Sequence, residues 1–366
     1  MIIYIYIEMS LNNLHYLQHF INDNEDYLSQ LKKKGYKIRS YKGMKIISSP
    51  YDREIDFEYS SYLRGLIINK ENKIVCIPPQ KAIAIDEIGE IDGLLKDDIL
   101  YEELIDGTMI NLFYINDEWV IATRSEIGGY NKWGNKKSFR VLFDESRNFS
   151  YDELNKEYCY SFVMRHVENR NIAPIEKNEL YLVEMYKIED DVVNRVLYDD
   201  YPDCFEKVNR VGETDKMMEL LSNSMYIKGY TLKMDDKRYK IVNQDFETIK
   251  KINVNKNHIC LTYLELRKNG NLKEYLKYFP ENSKVFEEYR NKLHILSNKI
   301  YSTYKDLFVY KKIEKKDIPY HIKPFIYEIH KQYLLTKSPI KWSDIKDYIY
   351  NLDSGRIYFS LKNENH

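Results

Sequence analysis

Apolar residues along the chain change their period twice. Leu14, Leu17, Ile21, Leu28 and Leu31 recur near helical spacing, and Lys32-Lys33-Lys34-Gly35 closes the run as a helix C-terminus does, which predicts a helix over 10–33. From Tyr36 the pattern shortens. Segments 37–49, 63–69, 73–77, 109–115, 118–124 and 180–187 are rich in Ile, Val and Tyr and are punctuated by turns such as Lys70-Glu71-Asn72 and Asn116-Asp117, as antiparallel strands are. Further strands are expected at 159–165, 226–234 and 237–242, with helices at 138–145, 151–156 and 201–223. After Val254 helical spacing returns, first in Phe286, Tyr289, Leu293, Leu296, Ile300 and Tyr304. A second set is Ile322, Phe325, Ile326, Ile329 and Tyr333, and a third is Trp342, Ile345 and Ile349. The pattern therefore divides the chain into an N-terminal extension (1–35), an α+β body (36–254) and an all-helical C-terminal domain (255–366).

Composition adds a class and a compartment. The 366 residues exceed the roughly 100–200 of one domain, and 43% apolar against 31% charged residues describes a chain that buries a core. Cys76, Cys159, Cys204 and Cys260 form neither a Cys-x-x-Cys nor a Cys/His cluster, which argues against a zinc site or a disulfide framework and fits a reducing, intracellular setting. No metal site is expected. His15 and His19 lie one helical turn apart without other ligands, and the acidic residues Asp86, Glu87, Glu90, Asp92, Asp97 and Asp98 read as a solvated face. Met1 to Ile7 are apolar but too few to span a membrane and lack a signal-peptide pattern; they read as a strand, or Met9 is the start. The 35 tyrosines read as packing residues with a polar tip.

Charge is uneven along the chain. Asn255 to His366 hold 21 lysines and arginines against 13 aspartates and glutamates, leaving 35 against 44 in the rest. A basic C-terminal unit beside an acidic body is the balance of a nucleic-acid-facing domain, or of an ordinary solvated helical surface.

Within the body, local patterns occur in a particular order. Arg64-Gly65-Leu66-Ile67-Ile68 is followed by Pro78-Pro79-Gln80-Lys81, then by Leu104-Ile105-Asp106-Gly107-Thr108 and Thr123-Arg124-Ser125. Tyr160-Ser161-Phe162-Val163 with Glu168-Asn169-Arg170-Asn171-Ile172, then Lys228-Gly229-Tyr230-Thr231-Leu232, then Arg238-Tyr239-Lys240-Ile241-Val242 complete the series. This order resembles the adenylyltransferase domain of phage and viral RNA ligases, in the covalent nucleotidyltransferase superfamily. The resemblance implies a nucleotidyltransferase (ATP-grasp-like ligase) antiparallel-sheet domain over about 36–250, followed by a helical RNA-specificity domain.

In such ligases a lysine amine attacks the α-phosphate of ATP, and the adenylate is passed to an RNA 5′-phosphate end. The aligned position here is Leu104, which has no lone pair to offer. Acidic residues of the family that contact the ribose or hold a hard divalent metal align with Val163 and Lys228. Of two basic positions facing the triphosphate, Lys240 is present and Val242 occupies the other. The resemblance leaves Arg64, Lys81, Asp106, Gly107, Arg124, Arg170 and Lys240 as nucleotide- or phosphate-binding candidates, and no catalytic residue. It implies a degenerate ligase that binds RNA, or a nucleotide or protein partner, without lysyl-adenylate formation, with no certain cofactor and no membrane. Two alternatives stand beside it. One is an active ligase, using ATP and Mg through another lysine such as Lys81 or sealing pre-adenylated RNA. The other is an assembly protein that uses the fold as a scaffold.

Overall fold

The computed structural model describes residues 16–50, 55–85, 100–132, 134, 137–189, 192–234, 237–254 and 256–364, and divides the chain into two compact units, Met1–Thr248 and Ile249–His366. Met1 to Ile7, residues 10–15 of the expected first helix, the acidic run from Asp86 to Asp98 and Asn255 lie outside the described residues.

The first unit is α+β, with three sheets. One is β1 (Lys37–Tyr41), β2 (Met44–Ser48), β3 (Arg64–Ile68) and β4 (Ile74–Cys76), antiparallel in chain order. A second has the order β11 (Val192–Arg195), β10 (Glu179–Glu189), β9 (Tyr158–Arg165), β7 (Thr108–Ile115), β8 (Glu118–Ala122), with β12 (Glu206–Lys207) parallel to β10. The third has the order β13 (Arg210–Val211), β6 (Tyr101–Glu103), β14 (Gly229–Met234), β15 (Lys237–Val242), β5 (Ile83–Ala84). The antiparallel expectation holds for most pairings. The exceptions, β10 with β12 and β15 with β5, are short parallel contacts.

Alternation along the strands explains the layering. Leu17 and Ile21, with Tyr27 and Leu31 of α1 (Tyr27–Lys34), cover one face of the first sheet through Ile47, Leu66, Ile68 and Ile74. Its other face, through Met44, Ile46, Ile67 and Cys76, packs on Phe113, Val120, Ala122 and Cys159 of the second sheet. The far face of the second sheet is closed by Phe139, Leu142 and Phe143 of α2 (Phe139–Ser146), against Ile110, Phe162 and Leu182. On the third sheet, Tyr101, Tyr230 and Leu232 receive Met217 and Leu221 of α3 (Thr214–Asn223).

Four expected elements are different, and of these the expected helix 151–156 is only a 3-10 turn over Tyr151–Glu153. The segment 37–49 is a hairpin, because Lys42 (φ 46°) and Gly43 (φ 81°) supply the two left-handed residues of a tight turn. The first helix is interrupted after 16–23, where the Asn24 side chain donates to the Phe20 carbonyl and the chain turns before α1. The expected helix 201–223 is helical only over Thr214–Asn223. Tyr201, Phe205 and Val208 have helical spacing by coincidence: the first two drop into the core under α2, and Val208 drops into a different cluster. Between them the chain makes a turn at Asp203-Cys204 and then runs extended through Glu206–Lys207.

The second unit is helical. Ile259–Lys268, Leu272–Tyr278, Ser283–Tyr304, Lys323–Thr336, Trp342–Asn351 and Ser354–Lys362 bury Leu264, Phe286, Leu296, Ile300, Ile326, Ile345 and Ile357. The three expected periodic sets lie on the third, fourth and fifth of these helices. No described helix is long and apolar enough to cross a membrane.

Gly229 opens β14 at φ 150°, and a Cβ there would lie 2.1 Å from the Ile241 carbonyl oxygen of the paired strand. Gly229→Ala is therefore expected to destabilise the first unit by more than about 1 kcal/mol, read as a lower denaturant midpoint by circular dichroism.

Candidate functional site

The link between β6 and β7, Leu104 to Gly107, joins the third sheet to the second. Its entry is fixed by backbone pairing: the Glu103 N–H donates to the Asn209 carbonyl at 2.9 Å and the Leu104 N–H to the Gly229 carbonyl at 2.9 Å. Its exit is fixed by Asp106. One carboxylate oxygen, Oδ2, accepts the N–H groups of Ile172 and Ala173 at 2.9 and 3.0 Å. Gly107 lets the strands close, since a Cβ there would lie 2.5 Å from the Met164 carbonyl oxygen and 2.7 Å from Val163 Cγ1. The turn thus ties three segments through its own backbone and one carboxylate.

Several predicted residues gather around this turn. Asn169 Nδ2 donates to Thr108 Oγ1 at 3.0 Å, and the Arg170 guanidinium donates twice to the Ile172 carbonyl, at 3.1 and 2.9 Å. Lys228 precedes Gly229, and its carbonyl accepts the Asn243 N–H at 3.1 Å. Lys240 lies on β15, paired with Thr231 of β14 and Ala84 of β5, and is half-buried. A second group forms elsewhere in the unit. Arg124 Nη2 donates to the Ser49 hydroxyl at 2.9 Å and to the Ser49 and Pro50 carbonyls, while Gly65, beside Arg64, brings β3 within 3.1 Å (Cβ position to carbonyl oxygen) of the Arg124 backbone. The Lys81 N–H donates to the Ser61 carbonyl.

Val163 is 7% exposed and packs with Ile105, Val183 and Val208, with Met109, Tyr181 and Tyr198 around them. Position 163 is enclosed by hydrocarbon. Val208 arrives on a strap: β12 pairs with β10 of the second sheet and β13 with β6 of the third, so residues 206–211 bridge both sheets. The Tyr198 hydroxyl fixes the strap by donating to the Val208 carbonyl at 2.7 Å.

Beside this apolar cluster lies a layer of charge that the sequence motifs did not mark. Glu102 receives Arg210 and Lys233, each at 2.8 Å, and Glu184 receives Arg195 at 2.7 Å. Burial alone would raise the Glu184 carboxyl, but Arg195, with Lys233 and Arg238 beyond it, outweighs this and holds it down to about 2. Burial also opposes the charge of Glu102, and Lys233 and Arg210 again win, keeping it low. For Lys233 burial prevails and lowers the amine despite the attraction of Glu184 and Glu102. A glutamate in the middle of the apolar run Leu180 to Met185 was the one signal in the sequence. Among the described residues no group of His, Cys, Asp and Glu is gathered as a metal site.

No protein-family model matches the chain. It is 23% identical over 232 residues to the immediate-early protein ICP-46 homolog of Invertebrate iridescent virus 3, covering 60% of this chain and 52% of the relative. It is 26% identical over 162 residues to an RNA ligase of Rhodothermus phage RM378, covering 41% and 35%. The chain thus spans about half, or about a third, of the curated relatives it matches. Among solved structures, an archaeal ATP-dependent RNA ligase aligns with a TM-score of 0.49 at 9% identity, covering 76% of this chain and 73% of that one. A Naegleria gruberi RNA ligase with PPi aligns with a TM-score of 0.34 at 10% identity, covering 47% and 57%. The chain has viral RNA-ligase homologues, as its ordered motifs imply.

The depressed Glu184 carboxyl makes stability depend on acid. Its folded value near 2 lies below its ordinary 4.5, so its contribution is complete above about 4.5 and is lost as pH falls toward 2. Unfolding free energy of the native chain should climb with pH across that window more steeply than that of Glu184→Gln. Parallel slopes in denaturant titrations would refute the assignment.

Proposed function

We propose that this chain is an RNA-ligase-like protein that binds RNA without forming a lysyl-nucleotide. The observation that carries the reading is the environment of position 163. The family places a carboxylate there, and here Val163 is enclosed by Ile105, Val183 and Val208. A carboxylate in that cluster would be desolvated without a partner, which is costly. Leu104 and Lys228 support the same reading, because the first offers no nucleophile and the second puts a cation where the family holds its metal. The residues present do not fit a lysyl-nucleotide with a bound magnesium ion.

RNA binding is supported by charge and by aromatic surface on the second unit. Residues 255–366 carry the basic surplus. On that unit Lys305 lies 5.4 Å from the Tyr301 ring and 5.0 Å from the Tyr310 ring, and Lys312 lies 5.1 Å from Tyr310, which is 51% exposed. Exposed rings with adjacent ammonium groups can stack bases and hold phosphates of a single strand. The π-helical turn Lys305–Val309 and the left-handed Lys311 (φ 55°) present these groups at one corner of the unit.

Incubation with labelled ATP and Mg²⁺ or Mn²⁺ is expected to leave no acid-stable nucleotide on the protein, and an adduct would overturn the proposal. Leu104→Lys alone should also stay unlabelled, because Val163 and Lys228 remain. Tyr310→Ala with Lys312→Glu should weaken single-stranded RNA binding by about tenfold, from the one to three kcal/mol of a lost stack and a lost phosphate contact. It should also flatten the dependence of affinity on salt. RNA binding by filter retention that ignores both salt and this double variant would favour a scaffold role.

A further inference from the structure

Two of the four cysteines meet where the first sheet packs on the second. Cys76 ends β4 and Cys159 stands on β9, 83 residues further along the chain, and both are 0% exposed. Their sulfurs lie 3.3 Å apart, against roughly 2.0 Å for a disulfide bond. Both are free thiols at this separation, and small swings of two side chains would close it. Met44, Ile46, Ile67, Phe113, Val120 and Ala122 surround the pair with hydrocarbon. The Cys159 thiol has two acceptors within reach, the Cys76 sulfur and the Ile77 carbonyl oxygen at 3.7 Å.

In the closed fold this pair is inert. Burial pushes the Cys76 thiol well above its ordinary value, so the reactive thiolate is scarce and a reagent in water has no path to it. Reaction needs an opening, and β4 supplies one. It has three residues, lies at the edge of its sheet, and pairs with β3 through Ile67 with Cys76 and Ile68 with Ile74 across an irregular register. Beyond it Pro78 and Pro79 have no N–H with which to extend the ladder. A short edge strand with few backbone bonds opens at lower cost than a central one. By contrast, β9 runs between β10 and β7 and is paired along most of its length to both. Local release of β4 therefore frees one sulfur while the other stays in place.

We propose that Cys76 and Cys159 are a modification site, a thiol pair that a low-molecular-weight disulfide converts into a covalent tie between the first and second sheets. When β4 opens, Cys76 gives its proton to water and its thiolate attacks one sulfur of the reagent. The reagent's S–S bond breaks and one small thiolate leaves. Cys159 then loses its proton and attacks the Cys76 sulfur of the mixed disulfide, expelling the second small thiolate. Both leaving groups take up protons, so the protein gives up two hydrogens with their electrons and the reagent becomes two thiols. Where small thiols prevail the reverse exchange keeps the pair reduced, and the tie forms only when the setting turns oxidising. It closes a loop that holds the Asp106 turn and restricts the unfolded chain. The inference is independent of RNA binding. Cys204 is exposed and Cys260 belongs to the second unit, so neither competes within this cluster.

The test is non-reducing peptide mapping of the full chain carrying Cys204→Ser, held in native buffer with oxidised glutathione and then blocked with iodoacetamide in denaturant. A peptide joining Cys76 to Cys159 is expected, with Cys260 recovered as a free thiol. The unfolding midpoint should move to higher denaturant and return after dithiothreitol. Cys76→Ala and Cys159→Ala, made separately and checked by circular dichroism, should each remove the link and the shift. Recovery of Cys76 and Cys159 as free thiols or as separate glutathione adducts would overturn the proposal, and the map of the parent chain decides this even where a variant misfolds. A link that leaves the midpoint unchanged would overturn it as well.

Discussion

Two carboxylates buried between sheets govern the first unit. Glu102 belongs to the third sheet and is held by Arg210 and Lys233 of that sheet, and Glu184 belongs to the second and is held by Arg195 of the neighbouring strand. A buried carboxylate is tolerated only when it is paired, and removing one partner leaves a charge whose cost is of the order of 3–5 kcal/mol. Each direct pair therefore pins strands within one sheet, and between the two sheets it is the longer-range attraction of Lys233 and Arg238 for Glu184 that acts. Apolar packing alone gives no such restraint, because hydrophobic surfaces of the right volume tolerate many arrangements. The strap at 206–211 adds a second restraint of a different kind, since its backbone bonds to β10 and β6 at once.

The same few elements build both compartments. On β10 the register shifts between Leu182 and Glu184, and this irregularity lets Val183 enter the apolar cluster while Glu184, its neighbour, enters the charged layer. Without it, alternation would send adjacent residues to opposite faces of the sheet. Hydrocarbon around Val163 and ions around Glu184 are thus separated by single residues along a strand. On the proposed reading, returning chemistry to the first compartment would need more than a lysine at position 104, because Ile105, Val183 and Val208 would also have to yield.

Much of the architecture was written in local pattern. Strands β3, β4 and β7 to β10 follow the expected segments closely because alternation and turn residues such as Asn116-Asp117 are short-range signals, whereas the short β5 and β6 were not expected. The expected helix at 201–223 failed for a long-range reason. Tyr201, Phe205 and Val208 are apolar because they enter two different cores, and spacing alone does not distinguish that from one helical face. The charged layer was hidden for a related reason: Glu102, Glu184, Arg195, Arg210, Lys233 and Arg238 lie on separate strands spread over well more than a hundred residues. The pairing of β6, β13, β14 and β15 gathers Glu102, Arg210, Lys233 and Arg238, and that of β10 with β11 joins Glu184 to Arg195.

The motif residues kept in this chain also have structural duties. Asp106 holds two backbone N–H groups, Gly107 permits contact with Met164, Arg170 holds the Ile172 carbonyl, and Arg124 holds the Ser49–Pro50 segment. Replacing any of them would leave a buried group unsatisfied or force two strands apart. On the proposed reading Leu104, Val163 and Lys228 stand where the RNA ligases place residues for chemistry, and their backbones keep the pairing. Selection for the fold alone would preserve the first set and release the second. Persistence of an Asp-Gly turn and its partners is therefore weak evidence for catalysis, and the occupants of positions 104, 163 and 228 carry more weight than the motifs around them.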